Sequence, residues 1–260
     1  MSILDDIRAH KERELAERQA ARPLDAIIAA SQCAPAVRSL RDALRQPGVQ
    51  LIAEVKRRSP AKGELRMDAD AVALAETYLD AGAAAVSVLT DERFFSGADA
   101  DLVAIRTRAR GPVLRKDFTI SRYQVYEARS LGADAILLIA SLLSDDQIRS
   151  FRETTDELRM DAIVEVHTEQ ETRRAVGLGA RIIGINNRDL SNFHVDLATT
   201  ERLRPLIPAA TVAISESGIG SRQDVQRAEA AGADAVLVGE ALVTAADPAT
   251  RVRELLGRAP

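Results

Sequence analysis

Cysteine, tryptophan and lysine are almost missing from this 260-residue chain: one Cys, no Trp, four Lys, and aromatic residues at only 3%. A single thiol, Cys33, excludes an internal disulfide and any cysteine metal cluster, and it fits a reducing cytoplasm. The three histidines, His10, His167 and His194, show no ligand spacing, so neither a metal nor a histidine base is expected, and no cofactor motif is evident. Long apolar runs are lacking as well. The longest, Ala135 to Leu143 with Ser141 inside it, falls far short of the ~20 residues of a membrane span. The amino terminus, MSILDDIRAHKERELAERQA, mixes acids and bases where a signal peptide needs an apolar core, so a mature cytoplasmic protein is expected. Charge of one sign is also absent. Thirty-five basic residues against thirty-nine acidic ones leave a net −4, with no global field to gather nucleic acid or an anionic membrane. An anionic partner must therefore be a small molecule met by local groups, and no obligate protein partner is expected. With 46% hydrophobic and 28% charged residues the chain has the composition of a folded protein, which excludes disorder.

Of the 35 basic residues, 31 are Arg and only Lys11, Lys56, Lys62 and Lys116 are Lys. An ammonium is compact and tunable in proton exchange, while a guanidinium stays protonated. A Lys kept in a key place therefore invites a chemical reading. Lys11, in a charged amino-terminal helix, is expected at the surface.

Four segments repeat one pattern: AGAAAVSVLT from Ala81, LGADAILLIA from Leu131, LGARIIGINN from Leu178 and AGADAVLVGE from Ala231. Each ends a helix at Gly and enters a short apolar run rich in β-formers. Their spacing is about twice the length of one strand and helix unit, so other strands should lie between them. Gln50–Val55, Pro112–Arg115, Asp161–Glu165 and Thr211–Ser215 are apolar runs in those places. Helical patterns alternate with the strands: Asp70–Ala81, Ser121–Leu131, Asp145–Leu158, Thr168–Leu178, Asp196–Leu206 and Ser221–Ala231. Eight apolar strands, each followed by a helix, predict an α/β protein, a (β/α)8 TIM barrel. A doubly wound sheet would carry GxGxxG after the first strand, where this chain has KRRSPAKG. Residues 1–46 read as a helical extension of one barrel domain spanning 1–260, long enough to fold over the barrel mouth.

Barrel chemistry gathers at the carboxyl ends of the strands. Read in order, those ends carry Glu54 and Lys56, Lys116 and Asp117, Glu165, Asn186 and Arg188, then Ser215 to Gly218, and finally Gly239 and Glu240. Glu54 and Lys56, two apart, share one side of a strand, and the ammonium should lower the acid's pKa. Glu165 ends the run DAIVEV, where partial burial should raise a carboxyl toward the range useful for proton transfer. His167, two residues on, has a place at the mouth within reach. Asp117, Glu216 and Arg115 are expected to meet solvent at the strand ends. The loops ESGIGS and GEA after strands seven and eight are where barrels build phosphate sites from backbone N–H groups, which nominates Ser217, Gly218, Gly239 and Glu240. SPAKG after the first strand adds the Ser59 hydroxyl and the Lys62 cation. A phosphosugar isomerase, a Schiff-base aldolase on Lys116, and a noncatalytic ligand-binding barrel all remain open on these residues. The joint presence of Glu54, Lys56, Lys116 and Glu165 favours an enzyme.

IAEVKRRSPAKG from Ile52, SVLTDERFFSG from Ser87, PVLRKDF from Pro112, GINNRDL from Gly184, SESGI from Ser215 and VGEAL from Val238 together resemble the indole-3-glycerol phosphate synthase family, over essentially the whole chain. One small departure is Ala61, where SPSKG is common. The resemblance implies a tryptophan-pathway lyase that closes a ring on 1-(2-carboxyphenylamino)-1-deoxyribulose 5-phosphate with loss of CO2 and water, without a cofactor. It implies Lys116 as general acid at the ketone oxygen, Glu165 with Lys56 nearby handling protons at dehydration, Glu54 orienting the lysines, and Asn186 holding a fixed hydrogen bond. It further implies that Arg188 and Lys56 hold the anthranilate carboxylate. Ser59 with the Ser217, Gly218, Gly239 and Glu240 backbone would hold phosphate, and Phe95 and Phe118 would pack on the aromatic ring.

Overall fold

The computed structural model describes residues 3–60, 62–189 and 193–259; Ala61 of SPAKG and Leu190, the last residue of the GINNRDL segment, lie outside them. Eight parallel strands, β1 (Gln50–Val55), β2 (Ala85–Leu89), β3 (Val113–Lys116), β4 (Ala135–Ile139), β5 (Asp161–Val166), β6 (Ile182–Asn186), β7 (Val212–Glu216) and β8 (Ala235–Val238), pair in sequence order, and β8 closes on β1. The expected (β/α)8 barrel is thus present. Its strands are buried almost throughout, because helices cover the outer face while the inner face fills with branched side chains.

The helices between the strands begin where a side chain caps them. Asp70, Ser121, Ser144, Thr168 and Ser221 each accept a hydrogen bond from a backbone N–H of the first turn. The repeat glycines Gly82, Gly132, Gly179 and Gly232 sit at φ between +73° and +107°, the left-handed exit that lets the chain turn back into the next strand. The helical pattern expected over Asp196–Leu206 divides into a helix Ala198–Leu203 and a 3-10 turn Arg204–Leu206. Pro205, inside that turn, has no N–H to continue the α-ladder.

The extension forms three helices, α1 (Ile3–Ala21), α2 (Leu24–Gln32) and α3 (Leu40–Leu44). Together they reach from the carboxyl ends of the strands to the amino ends. Leu4 and Ile7 of α1 line the cavity at the carboxyl ends of the strands. The Tyr123 hydroxyl donates to the carbonyls of Arg18 and Arg22, and α2 packs on the helix Arg122–Ser130. Asp134 and Asp161, at the amino ends of β4 and β5, accept from the N–H groups of Arg38 and Arg41, and Leu40 and Leu44 of α3 are fully buried there. Among the described residues no helix is long and apolar enough to cross a membrane, and no group of three or more His, Cys, Asp or Glu is placed to hold a metal.

Candidate active site

Five strand ends bring their ionisable and polar side chains to one mouth. Glu54 from β1, Lys116 from β3, Glu165 from β5, Asn186 from β6 and Glu216 from β7 all line a cavity of ≈ 170 Å³, together with Lys56, Ser59, Arg188, Phe95, Phe118, Ser217, Gly218, Gly239 and Glu240. These residues are far apart in sequence and meet only because parallel strands in register present their carboxyl ends together: Glu216 stands beside Asn186, and Lys116 beside Leu89.

Lys116 is the centre of the cluster. Its Nζ lies 3.5 Å from Glu216 Oε2, 3.7 Å from Glu165 Oε2 and 3.9 Å from Glu54 Oε2. Glu54 turns its other oxygen to Lys56 Nζ at 2.6 Å, so one carboxylate bridges both ammonium groups. Burial disfavours the Lys116 cation, but Glu216, Glu165 and Glu54 overcome it and raise the ammonium's pKa above its ordinary value. Burial likewise pushes Glu54 up, and the facing Lys56 and Lys116 reverse that and hold it below the usual carboxylate range.

Glu216 has the opposite balance. It is 1% exposed, neither carboxylate oxygen has a hydrogen-bond partner, and burial, opposed by Lys116 and reinforced by Glu165 and Glu54, pushes it up to about 7. Its space comes from the neighbouring strand, since a Cβ at Gly184 would stand 2.0 Å from Glu216 Oε1. A buried carboxyl that titrates near neutrality, ion-paired to Lys116 but with no hydrogen bond to either oxygen, is suited to exchange a proton with, or hydrogen-bond to, a ligand in the cavity.

Two walls flank this polar centre. One is apolar: Phe95 and Phe118 stand 6.1 Å apart, Phe94 meets Phe118 edge-on at 6.4 Å, and Leu4 and Ile7 extend the surface. The other is backbone. Ser217 (φ +66°) and Gly218 (φ +83°) turn consecutively through the left-handed region, and Gly239 precedes the short helix Glu240–Val243. A polar centre between an aromatic wall and a glycine-lined wall suits a ligand with an aryl group at one end and an anion at the other.

The family model for indole-3-glycerol phosphate synthase matches residues 4–255. The chain belongs to the indole-3-glycerol phosphate synthase family. It is 48% identical over 257 residues to an indole-3-glycerol phosphate synthase of a Nocardioides species, covering 99% of each chain. It is 46% identical over 255 residues to the synthases of Mycobacterium bovis and Rhodococcus opacus, covering 98% of this chain and 92% and 93% of theirs. Among solved structures, thiamine phosphate pyrophosphorylase from Pyrococcus furiosus (TM-score 0.63, 17% identity, 84% of this chain and 96% of that one) shares the barrel. So does 3-hexulose-6-phosphate synthase from Salmonella typhimurium (0.61, 17%, 80% and 97%).

On this synthase barrel most residues nominated from the sequence meet at the mouth, with two kept back. Lys62 is exposed and lies 3.7 Å from Glu240 at the rim, while its N–H donates to Ser59 Oγ. His167 sits behind the site, its Nε2 3.5 Å from Glu165 Oε1 and its Nδ1 3.4 Å from Glu171. Arg188 reaches the cavity with its N–H bonded to Asn186 Oδ1 and its guanidinium donating to the Phe193 carbonyl.

Several solvent assignments need correction. Asp117, Arg115 and Glu216 are buried: Asp117 under Lys11 of the extension, Arg115 against Asp99 and Glu127 of the surrounding helices, and Glu216 inside the barrel beside Lys116. Lys11 is 1% exposed, with its Nζ 2.7 Å from Asp117, 3.1 Å from Asp91 and 3.0 Å from Glu14. Its helix is charged because it faces carboxylates on the barrel as well as water, a distinction that periodicity does not register. Sequence reasoning also passed over Asn187. Its amide donates to Ser215 Oγ and the Ser217 carbonyl and accepts from the Thr200 N–H and hydroxyl, fixing the turn that carries Ser217 and Gly218. The adjacent asparagines at the end of β6 are the signal that could have been read, one amide for the cavity and one for the frame.

Proposed function

We propose that this cavity binds 1-(2-carboxyphenylamino)-1-deoxyribulose 5-phosphate with its aryl ring on Phe95 and Phe118 and its phosphate on Ser59 and the backbone of Ser217, Gly218, Gly239 and Glu240. Lys116 then stands beside the ketone. The aryl carbon bearing the carboxylate attacks the ketone carbon, a C–C bond forms, and the ketone oxygen takes the Lys116 proton as its charge develops. The carboxylate leaves as CO2, and the electron pair of the broken C–C bond restores the aromatic ring. A proton from the adjacent carbon and the new hydroxyl then depart as water, giving indole-3-glycerol phosphate. Glu165 and Lys56 serve those last proton transfers, Glu54 fixes both lysines, Asn186 holds a hydrogen bond, and Arg188 with Lys56 holds the substrate carboxylate until it leaves.

The observation that carries this reading is one ammonium among three buried carboxylates. A Schiff-base aldolase needs a neutral amine, and the carboxylates around Lys116 favour its charged form over its nucleophilic one. The reading also takes the protein to be cytoplasmic, supported by the single exposed thiol of Cys33, with a small phosphorylated molecule as partner and no obligate protein partner. Indole fluorescence measured on addition of the substrate tests it: fluorescence should grow in step with CO2 release. Borohydride trapping of a substrate adduct on Lys116, or no fluorescence at all, would overturn it.

A further inference from the structure

Lys11 takes no direct part in the cavity, yet it is buried beside it. We propose that Lys11 is a positioning residue, tying the loops after β2 and β3 to α1 so that the phenylalanines of the aromatic wall keep their places. Its ammonium has three N–H donors and meets three carboxylates, one of its own helix and two of the barrel. Each barrel aspartate also holds the backbone of a phenylalanine. Asp91 Oδ1 accepts the Phe94 N–H at 2.7 Å and caps the helix Glu92–Phe95. Asp117 Oδ1 accepts the Phe118 N–H at 2.7 Å, while its Oδ2 accepts the Thr90 hydroxyl at 2.5 Å.

One cation thus fixes two carboxylates, and each carboxylate fixes one side of the ring cluster Phe94, Phe95 and Phe118. Asp91 depends on it most. Its Oδ2 is buried without a hydrogen bond and stands 3.1 Å from the Lys11 charge, whereas Asp117 also has Arg115 at 3.5 Å. Asp117 directly follows Lys116, so the same tie bears on the backbone of the central ammonium. Leu4 and Ile7 reach the cavity from the same helix. A lysine at this position therefore registers α1, the aromatic wall and β3 against one another.

The inference rests on the assignment of Phe95 and Phe118 to the aryl end, and its test separates the two ends of the ligand. Lys11→Met leaves Asp91 and Asp117 short of a counter-charge. The double variant K11M/D91N removes one cation and one anion together, and the amide oxygen introduced by Asp91→Asn still caps Phe94. Calorimetric binding of 2-aminobenzoate, which has an aryl ring and carboxylate but no phosphate, is compared with binding of inorganic phosphate. Both variants should bind 2-aminobenzoate about tenfold more weakly or worse, with phosphate affinity within about twofold of wild type, and KM for the full substrate should rise. Unchanged 2-aminobenzoate binding in a folded K11M/D91N variant would overturn the inference. So would equal weakening of both fragments, which marks general loosening. A wild-type protein that turns over no substrate and binds no 2-aminobenzoate would instead overturn the assignment of the aryl end, and the inference with it.

Discussion

Lys116 is surrounded by carboxylates and so enters the reaction charged. Lys116→Arg preserves the charge but replaces a compact ammonium with a larger planar guanidinium that cannot place a donated proton at the same point. We expect kcat to fall by about 10² or more while substrate still binds; turnover within a few-fold of wild type would show that charge alone suffices. Glu216 makes a separate prediction, on stability. Its carboxyl is raised from an ordinary 4.5 to about 7 in the folded chain, so between those values the folded state holds a proton that the unfolded state has released. Stability contributed by the protonated form is therefore lost as pH rises through that window, by at most about 3 kcal/mol. Glu216→Gln should abolish much of that loss, and urea unfolding of both proteins at pH 5 and pH 8 measures it. A wild-type protein whose stability relative to the Gln variant does not fall over that range would refute the assignment.

At the scale of elements, the two glycine loops are not equivalent. A Cβ at Gly218 would stand 2.5 Å from Val195 Cγ1, and one at Gly239 2.7 Å from Glu54 Oε1. Gly218→Ala presses on the turn that carries Ser217 and should raise KM with a smaller effect on kcat. Gly239→Ala presses on the carboxylate that bridges Lys56 and Lys116, so kcat should fall as well. Steady-state kinetics of the two variants decide it, and identical profiles would show that the β8 loop serves phosphate alone. The same close packing explains why β6 carries Gly184: the barrel interior gives room to Glu216 only where its neighbouring strand has no side chain.

For the whole molecule, α1 differs from the rest of the extension. Its buried described side chains are Ile7 and Lys11, whereas Ile27, Leu40 and Leu44 further along are fully buried apolar groups. Removing residues 1–22 should leave a folded barrel with a raised KM, since Leu4, Ile7 and Lys11 leave the mouth while the apolar contacts of α2 and α3 remain. Removing residues 1–46 strips those contacts too and should destabilise the barrel itself. Circular dichroism and KM of the shorter deletion test this, and full substrate affinity would confine α1 to stability.

The barrel, its eight strands, the capped helices and most of the mouth were legible in the sequence. Hydrophobic period, cap residues and repeat glycines are local signals, and parallel topology then brings the strand ends to one place without further information. Glu54, Lys56, Lys116, Glu165 and Asn186 could be nominated on that basis. The burial of Lys11, Asp117, Arg115 and Glu216 was not legible, because a charge beside solvent and a charge beside an opposite charge read alike along the chain. Lys11 lies 80 residues from Asp91 and 106 from Asp117. Which carboxylates surround which cation, and hence the near-neutral carboxyl of Glu216, was decided only when folding removed water from groups that the sequence keeps far apart, where a charge is retained only by meeting its opposite.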